Sequence, residues 1–161
     1  MSFSTEQKAD IFSQPIKSVC CKRALLAGIV TSKGSVKDGL ITAAVDSKAT
    51  AQEVAEVIRA AYSKGADITT MPKGGRGYLV SFSAPSCVNV LNDFLGGGEP
   101  FVEKCPQCQC NFFRGLFIAC GRVTDPTKQY LLEFTPKNEL DRFVSLFDEL
   151  GLDFPFDVEG E

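Results

Sequence analysis

Between Leu25 and Val30 the chain is apolar without interruption, so a helix there has no polar face and must be covered on every side. The pattern then changes. Leu40 to Val45 reads as a short buried strand, and Val54, Val57 and Ile58 recur on one face of an amphipathic helix from about Ala51 to Tyr62. Ala66 to Thr70 and Tyr78 to Ser83 read as two more strands around the glycine-rich turn Pro72 to Gly77, and about Ser86 to Leu95 reads as a closing helix. The predicted order is αββαββα. Ahead of it, Ser4 and Gln7 have the spacing of a capping box that opens a short helix.

The pattern is written twice. CCKRALLAGIVTSKGSV, Cys20 to Val36, is answered by QCQCNFFRGLFIACGRV, Gln107 to Val123, with Gly28 falling on Gly115, Gly34 on Gly121 and Val36 on Val123. Each copy runs into a turn with an aspartate (Asp38-Gly39, Asp125-Pro126), then a strand (Leu40 to Val45, Tyr130 to Phe134), then an amphipathic helix (Ala51 to Tyr62, Asn138 to Leu150). A duplicated unit places any shared site on a local two-fold axis. The second copy stops at Phe154 to Glu161, where its third strand should begin. The expected fold is α+β: one domain over residues 1–161, made of tandem pseudo-symmetric αββαββα repeats. Repeat 1 covers about 1–95, a linker 96–100, and a truncated repeat 2 about 101–161.

A sheet covers one side of an all-apolar helix, and its twin can cover the other. Gly28 and Gly115, with Ala24 and Ala119 one turn away, would let the two backbones approach closely. Glycine inside a helix costs about 1 kcal/mol relative to alanine, so two at matching positions point to packing.

Composition narrows the chemistry. With 44% hydrophobic and 23% charged residues the chain should fold, and no apolar run nears the roughly 20 residues that span a bilayer. The polar opening is unlike a secretory signal, so a cytoplasmic location and no membrane partner are expected. Histidine is absent, which excludes histidine-based acid–base catalysis and a Ser-His-Asp triad. Asp38 and Asp125 read as turn residues, since Asp-Gly is a strong hairpin signal.

The net charge of −3 hides an asymmetry: residues 1–82 carry 11 Lys and Arg against 7 Asp and Glu, residues 83–161 carry 6 against 13. Lys33, Lys37, Lys73, Arg76, Arg122 and Lys128 fall at strand ends and in the glycine-rich turn, where they are candidates for contacts to DNA phosphates. Such contacts are weak, independent of base sequence and sensitive to salt, and each residue taken singly is more readily read as a solvated surface charge. No recognition helix is visible. Of seven cysteines, Cys105 and Cys108 have the spacing of a zinc knuckle, Cys110 could be a third ligand, and Cys20 or Cys21 could complete the set across the local axis. The alternative is that these are buried free thiols; either role is structural.

Leu26 to Gly34 overlays the nine-residue signature of the LAGLIDADG homing endonucleases, and Phe113 to Gly121 is a weaker second copy. Met1 to Ser4, Cys20 to Ala24, Arg114 to Phe117 and Gly121 to Pro126 together resemble the WhiA family of bacterial sporulation and cell-division regulators, over nearly the whole chain. The resemblance implies a helix-turn-helix domain after this region, and none lies within these residues. In the signature the eighth position of each helix supplies an acid that holds Mg²⁺; here those positions are Lys33 and Cys120. Lysine repels a divalent cation and a thiol prefers softer metals. The resemblance therefore implies a degenerate, non-catalytic scaffold kept for DNA binding, without cofactor, in a regulator of transcription, sporulation, cell division and chromosome segregation. The competing readings are a module that binds a protein of the transcription or division machinery, with oligomeric state open, and an active endonuclease.

Overall fold

The computed structural model describes residues 3–96, 105–128 and 131–136. Helix α1 (Phe3–Ile11) leads into α2 (Val19–Lys33), the apolar segment singled out above. Ser18 caps α2 by accepting a hydrogen bond from the Cys21 N–H, and Gly34 closes it by donating its N–H to the Val30 carbonyl. Every residue from Ala24 to Ser32 is buried. The two polar members of that run, Thr31 and Ser32, donate their hydroxyls back to the Ala27 and Gly28 carbonyls at 2.7 Å, so burial leaves neither hydroxyl without an acceptor.

Strands β1 (Ser35–Lys37) and β2 (Leu40–Val45) form a hairpin across Asp38 and Gly39, both at positive φ (54° and 78°), the conformation a two-residue primed turn requires. Helix α3 (Lys48–Tyr62) starts at Ser47, whose hydroxyl accepts from the Thr50 N–H, and buries Ala51, Val54, Val57, Ile58 and Ala61. A second hairpin, β3 (Asp67–Thr70) and β4 (Tyr78–Phe82), precedes α4 (Pro85–Leu95). The four strands form one antiparallel sheet in the order β1-β2-β4-β3. Ile41, Ala43, Val45, Val80 and Phe82 point to the helices and share one core with Leu25, Leu26, Ile29, Val30 and the inner face of α3. The predicted αββαββα unit is thus present from α2 to α4.

The second unit opens with α5 (Cys108–Cys120), followed by the two-stranded pair β5 (Gly121–Val123) and β6 (Leu132–Phe134). The helix expected over Asn138 to Leu150, the linker beyond Gly96 and the tail lie outside the described residues, as does Tyr130 at the head of the predicted strand. Asp125 holds its turn by accepting from the Thr127 N–H at 2.9 Å and the Thr127 hydroxyl at 2.8 Å.

Helices α2 and α5 lie against each other. A methyl group on Gly28 would fall on the Phe112 carbonyl oxygen, and one on Gly115 on the Leu25 carbonyl oxygen, well inside van der Waals contact. Ala24 packs with Phe112 and Leu116, and Ala119 joins the core beneath the four-stranded sheet.

One local expectation is corrected. Ser4 is not a helix cap: its hydroxyl donates to the Val123 carbonyl and accepts from the Val123 N–H, both at 2.7 Å. The buried hydroxyl therefore satisfies the edge of β5 instead of its own helix, and ties α1 to the second unit.

Candidate functional site: a basic cleft at the ends of the paired helices

Because α2 and α5 run side by side in the same direction, their C-terminal ends open into one cleft of about 1000 Å³. Lys33 comes from the last turn of α2, Arg76 from the glycine-rich turn of the first unit, and Arg122 and Lys128 from the hairpin of the second. Arg76, Arg122 and Lys128 are exposed, and Lys33 is half-buried. Four of the six cations singled out in the sequence thus meet in one place. Lys37 does not join them: it stands on the open face of the sheet, across from Leu40 and in line with Ser35 and Thr42. Lys73 contributes backbone to the short 3-10 turn Pro72–Gly74, and its side chain lies outside the described residues.

The cleft holds a further cation that the sequence did not single out. Lys8 is 3% exposed, bonded to the Asp46 carboxylate and set over the Phe117 ring. Apart from that pair, Glu6 and Asp125 are the acids that line the cleft, against four cations. The Thr127 backbone N–H and then its hydroxyl hold the Asp125 carboxyl below its ordinary range, so its charge is committed to the turn. The floor is Ala119 and Cys120. Burial pushes the Cys120 thiol up to about 11 against the pull of the Ser32 hydroxyl and the Lys33 ammonium, so this sulfur is neutral at physiological pH. Among the described residues no group of carboxylates is arranged to hold a metal ion.

At the opposite end of the helix pair four thiols converge. The sulfurs of Cys20, Cys21, Cys105 and Cys108 all lie within 4.8 Å of one another. Cys110 is exposed and outside this group, and both Cys20 and Cys21 belong to it, which corrects the expected ligand set. The helical repeat explains the exchange: two residues on from Cys108, Cys110 is turned about 200° away, whereas neighbouring residues in a first turn can flank one point.

The geometry has relatives. A family profile described as "WhiA LAGLIDADG-like domain" matches residues 109–156. Proteins named "Probable cell division protein WhiA" are similar along most of the chain: that of Caldicellulosiruptor saccharolyticus is 24% identical over 164 residues, 88% of this chain and 50% of its own length. That of Bacillus subtilis is 25% identical over 174 residues, 94% of this chain and 54% of its own. The chain is similar to the WhiA proteins over most of its length. Its fold agrees with the crystal structure of full-length DUF199/WhiA from Thermatoga maritima (TM-score 0.72, 23% identity, 94% of this chain and 51% of that one). It agrees equally with that of the N-terminal LAGLIDADG domain of DUF199/WhiA (TM-score 0.72, 93% and 75%). The chain spans about half the length of the curated WhiA relatives it matches.

On this WhiA-like scaffold the positions that would carry a nuclease's acids are Lys33 and Cys120, both lining the cleft. Asp38 and Asp125, the aspartates that answer each other in the two copies, are held in turns, and of the two Asp125 lines the cleft. Among the described residues no helix is long and apolar enough to cross a membrane.

Proposed function

We propose that this chain is a non-catalytic, DNA-binding LAGLIDADG-like module of a cytoplasmic bacterial regulator of the WhiA type. Such a regulator acts in transcription, sporulation, cell division and chromosome segregation, with base-specific reading left to a helix-turn-helix elsewhere. The observation that carries this is the composition of the cleft: a lysine and a neutral thiol stand where hydrolysis needs two carboxylates, and Arg76, Arg122 and Lys128 surround them. A phosphate backbone laid across the cleft would meet cations from both units, whereas Mg²⁺ would meet an ammonium.

Titration of a fluorescent duplex at two salt concentrations tests the reading. Binding should be weak, independent of base sequence and steeply weakened by salt. Arg76→Glu with Lys128→Glu should weaken it further and flatten the salt slope by about 0.9 for each phosphate that is no longer neutralised. Binding unchanged by these substitutions and by salt would support a protein-partner module instead. Plasmid incubated with the chain and Mg²⁺ should stay intact; cleavage would restore the endonuclease reading.

A further inference from the structure

We propose that Cys20, Cys21, Cys105 and Cys108 are the four ligands of one structural zinc ion, which clamps the start of α2 to the start of α5.

Four thiolates on a tetrahedron about a single zinc, at Zn–S distances of about 2.3 Å, stand about 3.8 Å from one another. Here Cys21 and Cys105 sulfurs are 3.4 Å apart, Cys20 and Cys105 3.6 Å, Cys105 and Cys108 3.6 Å, and no pair exceeds 4.8 Å. The set therefore already has the dimensions of one coordination sphere. Iron–sulfur clusters use cysteines on different irons, which demands a wider spread.

The surroundings suit anionic sulfur. Cys105 and Cys108 are joined by a tight turn in which the Cys108 N–H donates to the Cys105 carbonyl. The Ser18 hydroxyl lies 3.5 Å from the Cys20 sulfur. Donors of this kind hold a ligating thiolate in place. Cys20 and Cys21 occupy the first turn of α2 and Cys108 begins α5, so the positive ends of two helix dipoles meet at the double negative charge of a zinc tetrathiolate. Ala24, Phe94 and Phe112 back the site and keep it dry on the inner side.

On binding, four Zn–S bonds form and each thiol still protonated releases its proton to solvent; nothing is oxidised or reduced. Binding free energy at such a site is folding free energy, so the ion would fix the register of the twin helices and with it the cleft at their other end.

The test is metal content of the 161-residue chain, purified without chelator and without a metal-affinity step. One zinc per chain is expected. Exchange for Co²⁺ should give thiolate-to-cobalt charge-transfer absorption with the d–d bands of a tetrahedral site. Cys108→Ser should lose the metal, while Cys110→Ser and Cys87→Ser should keep it. If Cys108→Ser does not fold, the cobalt spectra of the parent and of Cys110→Ser decide. A folded, reduced chain without stoichiometric metal, iron in place of zinc, or metal lost from Cys110→Ser would each overturn the proposal.

Discussion

Lys8 is almost fully buried, and its ammonium is held by a carboxylate that is itself 42% exposed. The two halves of this pair are therefore unequal. Asp46→Asn would strand a buried charge, and should cost about 3 kcal/mol in urea denaturation. Lys8→Met fills the same space and leaves Asp46 in contact with water, so it should cost under about 1 kcal/mol. Equal losses in the two variants would show that the pair is an exposed one. Nothing in the local sequence announced this role, because Lys8 sits on a short helix of mixed polarity and its partner lies 38 residues away.

Two buried thiols set a limit at high pH. Burial raises Cys87 and Cys120 from an ordinary 9.0 to about 11. A group whose folded pKa is raised adds stability that is complete below its unfolded value and is lost as pH climbs through the folded one. Stability should therefore fall between pH 9 and 11, by up to about 2 kcal/mol for each thiol. The urea midpoint of Cys87→Ala with Cys120→Ala should decline less over that window than the parent's, and parallel curves would refute the assignment.

At the scale of elements, the twin helices were the most legible part of the chain. An all-apolar segment that repeats with its glycine in register has few ways to be buried, and the contact of Gly28 with Phe112 and of Gly115 with Leu25 is the one that the spacing implied. Gly115→Ala ought to gain about 1 kcal/mol from helix propensity alone. Here the added methyl meets the Leu25 carbonyl, so the helices must part, and a net loss of about 1–3 kcal/mol is expected instead. A raised denaturation midpoint would mean that the two backbones are not in contact. The hairpins were legible too, Asp38-Gly39 above all, because its turn chemistry is local. Ser4 was misread for the opposite reason: its spacing to Gln7 satisfies a local rule, and the bond it makes instead reaches Val123.

Across the whole molecule, charge is arranged by the fold rather than by the chain. The first half is basic and the second acidic, yet the cleft draws Lys33 and Arg76 from one and Arg122 and Lys128 from the other. Each cation could be named from its place near a strand end. Their convergence could not, because it depends on which way the helix pair carries its two hairpins. The cysteine set shows the same limit: the Cys105 to Cys108 spacing suggested a metal, but the exclusion of Cys110 and the entry of both Cys20 and Cys21 follow from helix phase and docking.

The bond from Ser4 to Val123 joins residues 119 positions apart. Translation therefore delivers α1 well before its partner strand β5. The Lys8–Asp46 pair can seat the leading helix on the first unit beforehand, but the bond that ties it to the second unit can form only once β5 has emerged.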